Sequence, residues 1–187
     1  METKELSIII VNYNGKHYLK DCLDSIANYC SSISNEIIIV DNNSSDGSQE
    51  YLKENYPGAR LFEEKKNLGF GKANNLGVKN SKGDYILLLN NDTILLQDII
   101  PVIEIAKRSE VGAVGVKMLN GEQQYTASVG KSYFIFSNPP VFSAILFYFN
   151  HQFPFHIHAS NDRVHYKLLN LNNLQVYYNY QYKWYLF

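Results

Sequence analysis

The chain has 187 residues, a formal net charge of −1, 45% hydrophobic residues and 19% charged residues. That length holds one domain with a sizeable core, or one domain and an appendage, and the near-balance of charge gives no electrostatic case for a nucleic-acid partner. The polar start Met1-Glu2-Thr3-Lys4-Glu5 is unlike a secretory signal, and the longest apolar run, residues 144–149, falls far short of the ~20 residues needed to span a bilayer.

The first 120 residues alternate strand and helix signals. Leu6-Ser7-Ile8-Ile9-Ile10-Val11 reads as a buried strand, broken by Asn14-Gly15. Tyr18, Leu19, Cys22, Leu23, Ile26, Ala27 and Cys30 then recur at helical spacing, the stripe of a helix that faces a core. Residues 36–40 make a second strand. Ser45 or Asp46 is placed to cap a helix through Tyr56, which Pro57-Gly58 closes. A third strand over 60–63, a helix over 71–80, a fourth strand over 85–89, a helix over 97–109 with Pro101 near its start, and a fifth strand over 111–118 complete the pattern. Such alternation predicts an α/β fold, a mostly parallel sheet with helices on both faces. Cys22 and Cys30 lie eight residues apart on one predicted helix, roughly 12 Å at ~1.5 Å per residue. That is too far for a disulfide, so they read as two buried thiols of a reducing compartment.

Past Asn120-Gly121 the character changes. Residues 121–187 hold 18 of the 26 aromatic residues, four of the five histidines and only two of the 18 acidic residues, Glu122 and Asp162. The boundary divides the chain into 1–120 and an irregular, aromatic-rich segment over 121–187.

Four segments carry chemistry. Asn12-Tyr13-Asn14 follows the first strand, where a tyrosine can stack on a base and an amide can orient it; an ordinary turn with a packed ring is the plainer reading. Asp41-Asn42-Asn43-Ser44-Ser45-Asp46-Gly47 follows the second strand. Its first carboxylate can accept from the imide N–H of uracil or thymine, and Asn43 and Ser44 suit ribose or phosphate; the same residues also make a helix-cap loop. Gly69-Phe70-Gly71-Lys72-Ala73-Asn74-Asn75 sets glycines where a helix begins, and backbone N–H groups there attract phosphate. Asn74 stands where a dinucleotide fingerprint needs its third glycine, and the segment follows the third strand, so a nicotinamide or flavin site is not indicated. Asn90-Asn91-Asp92 ends the fourth strand with one hard oxygen ligand and two amides. Mg2+ or Mn2+ takes one or two carboxylates and completes its shell from phosphate and water. A strand-end Asp capping the next turn is the alternative.

In order and spacing these segments resemble the nucleotide-sugar half of family 2 glycosyltransferases of the GT-A (Rossmann-like) fold, the rhamnosyltransferase-like branch especially. The resemblance covers residues 6–119. It rests on Ser7-Ile8-Ile9-Ile10-Val11-Asn12-Tyr13-Asn14, Ile39-Val40-Asp41-Asn42-Asn43-Ser44-Ser45-Asp46-Gly47, Asn67 to Gly77, and Gly83-Asp84-Tyr85 into Leu89-Asn90-Asn91-Asp92. It implies that Tyr13 stacks on the base and Asp41 bonds it, with Asn12 and Asn14 beside them. Asn74 or Asn75 lies near the sugar or diphosphate with Gly69, and Asp92 binds Mg2+ or Mn2+. Asn90 stands where many relatives carry the first Asp of an Asp-x-Asp motif, next to Asn91.

The activity implied is an inverting transfer from a dTDP- or UDP-sugar, rhamnose for this branch, to a hydroxyl of a glycan or glycolipid acceptor. It takes place in the cytoplasm or at the inner membrane face. The hydroxyl needs a base, and the family supplies an acidic residue from its C-terminal half. Here Asp162 is the weak candidate, in Ser160-Asn161-Asp162-Arg163. The aromatic segment is expected either to serve an acceptor by sugar stacking or contact with a membrane surface, or to be the end of a truncated or frame-shifted chain. In the second case the protein is a catalytically silent nucleotide-sugar-binding fragment. A nucleotidyltransferase would carry a glycine- and basic-rich loop after its first strand, for which Asn12-Tyr13-Asn14-Gly15-Lys16 is a poor substitute.

Overall fold

The computed structural model of the protein describes residues 4–108, the strands beyond them and, within those strands, the side chain of Val114. In chain order the elements are β1 (Lys4–Asn12), α1 (Lys16–Tyr29), β2 (Asn35–Asp41), α2 (Ser48–Asn55), β3 (Arg60–Glu63), α3 (Phe70–Lys79), β4 (Gly83–Asn90), α4 (Ile100–Ala106) and β5 (Val111–Val116). The strands β6 (Met118–Leu119), β7 (Tyr125–Thr126), β8 (Ala144–Tyr148), β9 (Leu168–Leu171) and β10 (Leu174–Tyr178) follow.

β1 reads as one apolar run because both of its faces are covered. Leu6, Ile8 and Ile10 pack with Leu19, Leu23 and Ile26 of α1, Leu52 of α2 and Ile103 of α4. On the other face Ile9, Ile38, Val40 and Ile86 pack against Ala73 of α3, with Leu76 and Val78 beside them. Each fully enclosed Ile or Leu contributes about 1.5–3 kcal/mol relative to exposure. α3 lies close on the sheet because Gly77 has no side chain; a Cβ there would run into Cγ2 of Ile9. The helix predicted from Gln97 starts at Ile100 instead. Asp98 accepts the Ile100 N–H at 2.7 Å and Pro101 sits in the first turn, which fixes the start.

The eight-stranded sheet has the order β3-β2-β1-β4-β8-β5-β10-β9. β1, β2, β3 and β4 pair in parallel, while β8 and β10 run against the other strands. Residues 144–148 of the apolar run thus enter the sheet as β8, between β4 and β5. A short continuous apolar run has no period, so spacing alone does not reveal it as a strand. Among the described residues no helix is long and apolar enough to cross a membrane.

The amino ends of β1 to β4 are tied by one carboxylate. Glu36 Oε1 accepts from the Ser7 hydroxyl at 2.7 Å and from the Lys82 N–H at 2.6 Å, and Oε2 accepts from Arg60 Nη1 at 2.8 Å. Arg60 also reaches the Asn80 carbonyl at 2.7 Å, and the Ser7 hydroxyl accepts the Gly83 N–H at 2.8 Å. Burial raises the Glu36 carboxyl. The bonds from Ser7, Arg60 and Lys82 together with the Arg60 charge outweigh burial and hold it below its ordinary 4.5. A carboxylate so depressed adds stability above its unfolded value and loses it as pH falls through its folded value. Glu36→Gln should cost about 1–3 kcal/mol at pH 7. Below pH 4.5 its stability should fall less steeply than wild type, as read by urea unfolding across pH 3–7.

Candidate functional site

Parallel pairing brings the carboxyl ends of β1, β2 and β4 level. The register sets Asn12 beside Asp41 and Val11 beside Asn90. β1 continues to β2 on one side and lies against β4 on the other, so the strand order reverses between β1 and β4. Ligands bind at such a switch point in open α/β sheets.

The polar side chains of this rim interlock. Asn12 is fully buried, and its Nδ2 donates to Asp41 Oδ2 at 2.9 Å and to the Ser44 hydroxyl at 3.1 Å. Its Oδ1 accepts from Asn91 Nδ2 at 2.7 Å, across the switch point. Gly15 makes room for that bond: a Cβ there would strike the Asn91 amide and come within 2.9 Å of Asn12 Oδ1. Asp41 Oδ1 accepts from the Ser44 N–H at 2.9 Å and from Gln49 Nε2 at 2.7 Å.

The loop after β2 is built on these bonds. Asn14 and Asn43 take the left-handed conformation, at φ 50° and 70°. Asn14 Oδ1 accepts the Ser45 N–H at 2.8 Å, and the Ser44 hydroxyl accepts the Asn14 N–H at 2.9 Å. Asp46 serves two helices. Oδ2 accepts the first N–H of α1, from Lys16, at 2.9 Å, and Oδ1 accepts the first N–H of α2, from Ser48, at 3.1 Å. Burial raises the Asp46 carboxyl, and the bonds from Ser48 and Lys16 outweigh it and leave it lowered. Asp46 is therefore a cap. Asn42, also buried, carries the frame onward: its Oδ1 accepts the Leu68 N–H and its Nδ2 donates to Asn67 Oδ1, each at 2.8 Å. Asn67 Oδ1 accepts the Gly69 N–H at 2.8 Å, which sets the entry into α3.

Around this frame the predicted binding residues divide. Tyr13 is 52% exposed and Asn43 is exposed, both at the rim. Ser44, Asn90 and Asn91 are half-buried there. Asn74 is 2% exposed, and its amide donates to the Phe70 carbonyl at 3.0 Å inside its own helix. Of the Asn74/Asn75 pair, Asn75 is the one with surface to offer. Asp41 is enclosed: its exposure is 0% and its donors are Asn12, Ser44 and Gln49. Asp162 and the histidines at 151, 156, 158 and 165 lie outside the described residues. Asn42, Gln49 and Gly15 belong to the site without having been singled out; only the turn signal at Gly15 and the capping loop at Asn42 pointed their way.

Asp92 is exposed on the turn after β4 and makes no hydrogen bond or ion pair among the described residues. Beneath the turn, the Cys22 thiol donates to the Asn90 carbonyl at 3.6 Å. Burial, then the Asp92 charge, push that thiol up to about 12, so it stays protonated. Among the described residues no three His, Cys, Asp or Glu side chains cluster as a metal cage. A single exposed carboxylate at a strand end suits an ion whose remaining ligands come from a phosphate and water.

Residues 7–170 match the family described as Glycosyl transferase family 2. The glycosyltransferase GlyA of Streptococcus pneumoniae serotype 4 is 32% identical over 101 residues, 53% of this chain and 14% of that protein. The poly(ribitol-phosphate) beta-glucosyltransferase of Bacillus spizizenii is 30% identical over 185 residues, 86% of this chain and 28% of that protein. The chain thus spans about a seventh of the first relative and just over a quarter of the second. Among solved structures, S. aureus TarS 1-349 superposes with a TM-score of 0.60 at 17% identity, over 77% of this chain and 47% of that one. A mannosyltransferase of Pyrobaculum calidifontis, in complex with GDP-Man and Mn2+, gives 0.53 at 20% identity, over 60% of this chain and 35% of that one. At those identities the likeness is one of fold, the GT-A fold.

Gly15→Ala should cost about 1–3 kcal/mol in urea unfolding, because its Cβ displaces the Asn91 amide from Asn12.

Proposed function

Because the chain belongs to glycosyl transferase family 2, we propose that it transfers a sugar from a uridine- or thymidine-diphosphate donor to a hydroxyl of a glycan or glycolipid, with inversion. The observation that carries this reading is the level set of strand ends at the switch point: exposed Tyr13 and enclosed Asp41 on one side, exposed Asp92 on the other. Tyr13 stacks on the base. Asn43 and Ser44 meet the ribose, and Asn75, Gly69 and Asn90 border the diphosphate and sugar. Asp92 holds Mg2+ or Mn2+, which supplies positive charge against the leaving diphosphate. Manganese use by a neighbour of the same fold, the mannosyltransferase crystallised with GDP-Man and Mn2+, supports that choice. TarS has also been crystallised with UDP and with UDP-GlcNAc, which supports a nucleotide-sugar donor. Rhamnose is the sugar of the branch that the Asn90-Asn91-Asp92 text resembles. The reaction belongs on the cytoplasmic side of a membrane, where activated sugars are made.

Asp41 has a carboxylate's roughly four acceptor positions and fills three with Asn12, Ser44 and Gln49. Gln49 Nε2 stands on Oδ1 as the imide N–H of uracil or thymine would. Asp41 is 0% exposed, so base recognition by its carboxylate requires a donor to give way, and Gln49 is the one that swings from a helix surface. A second reading, donor binding without transfer, rests on the scarcity of carboxylates over residues 121–187, where Glu122 and Asp162 are the acidic residues. Incubation with a donor and a lipid-linked acceptor separates the two: binding with product supports transfer, and binding without product supports donor binding alone.

Calorimetric titration with UDP and TDP should show binding strengthened by Mn2+, and Asp92→Ala should abolish the metal effect. Absence of binding by folded wild type would sink the donor site. Gln49→Ala should tighten UDP several-fold by freeing Asp41, while weaker UDP binding in that variant would show that Gln49 helps hold the base.

A further inference from the structure

Asp41, Asn12 and Asn91 form a chain with a fixed direction. Asp41 accepts N–H bonds on both oxygens, so the Asn12 group facing it must be the NH2 of its amide. That choice turns Asn12 Oδ1 toward β4, where it can only accept, and commits Asn91 Nδ2 to it at 2.7 Å. The orientation of the Asn91 amide is thus dictated from β2, across β1. Asn12 is 0% exposed and cannot itself meet a donor or an ion.

The turn that carries Asp92 is followed by Leu95, whose N–H bonds the Ser25 hydroxyl of α1 at 3.0 Å and which packs on the core, but few bonds hold residues 90–93 themselves. Its backbone closes with the Thr93 N–H on the Asn90 carbonyl at 3.2 Å, over the weak Cys22 thiol bond to the same carbonyl. Among the described residues the side chains of Asn90, Asp92 and Thr93 make no hydrogen bond, and the Thr93 hydroxyl is buried without a partner. The Asn12–Asn91 bond is the side-chain tie between this turn and the sheet.

We propose that Asn12 is a positioning residue that carries the hold of Asp41 across the switch point to Asn91, and so sets the metal affinity of Asp92 without touching donor or metal. The inference rests on the donor-site reading above and adds to it a coupling between the base side and the metal side. Loss of a partner bonded directly to a metal ligand typically lowers metal affinity about 10- to 100-fold. Asn12 acts one residue further out, through Asn91, so the effect expected is at the low end of that range. A residue that merely supported the base pocket would weaken nucleotide binding equally with and without metal.

The test is the ratio of UDP affinities with Mn2+ and with EDTA, measured by calorimetry on the full chain. Wild type should show a ratio well above one. Asn12→Ala should reduce it about tenfold or to unity, with a smaller change in the metal-free affinity. Should Asn12→Ala fail to fold, Gly15→Ala serves, because it parts the two amides while keeping both, and it should lower the ratio in the same way. Absence of UDP binding by wild type overturns the donor-site reading and this inference with it, and a wild-type ratio of one overturns the metal role of Asp92 and this inference. A ratio above one that the folded variant keeps overturns this inference alone.

Discussion

The rim of this protein depends on a buried carboxylate that must be given donors. Asp41 ends β2 inside the fold, with no exposed surface. A carboxylate there is costly unless its oxygens are bonded. The chain answers with Asn12 from β1, the N–H of Ser44 from the loop that follows, and Gln49 from α2. Each of these bonds fixes a different segment. Asn12 fixes Asn91 beyond β4, Ser44 fixes the left-handed turn at Asn14, and Gln49 sets the first turn of α2 against the sheet. Three strand ends, level in register, are held together by these polar groups.

The two ends of the sheet are built on the same principle for different purposes. At the amino ends Glu36 gathers Ser7, Arg60 and Lys82 into one bonded cluster. At the carboxyl ends the frame is closed below and open above. Asn12, Asp41 and Asn42 are buried, while Tyr13, Asn43 and Asp92 stand exposed over them. A buried, bonded layer beneath groups that, among the described residues, stand exposed suits a preorganised binding rim. The Cys22 thiol belongs to the lower layer, where it donates to the Asn90 carbonyl at 3.6 Å.

Much of this was legible in the sequence, for identifiable reasons. β1, β2 and β4 announce themselves as apolar runs, and each ends in polar residues whose position at the rim follows from parallel pairing alone. The capping role of Asp46 followed from its place before a helix. Other features depend on contacts between distant segments, which no local pattern records. Gln49 looks like any exposed helical residue until α2 is laid beside Asp41. Asn42 looks like loop until its amide meets Asn67 and Leu68. Asn74 reads as a site residue because it adjoins Asn75, yet the helix turns it inward, one step of the spiral from the rim. β8 is concealed differently, since an apolar run without alternation could be either helix or strand.

The ends of β1, β2 and β4 are proposed to form one nucleotide-diphosphate site, and a crystal structure of the chain grown with UDP and Mn2+ decides it. Uracil should stack on Tyr13 with Gln49 moved off Asp41, and the ion should lie between the diphosphate and Asp92. Nucleotide bound elsewhere on the chain, or at this rim with the ion away from Asp92, would contradict it.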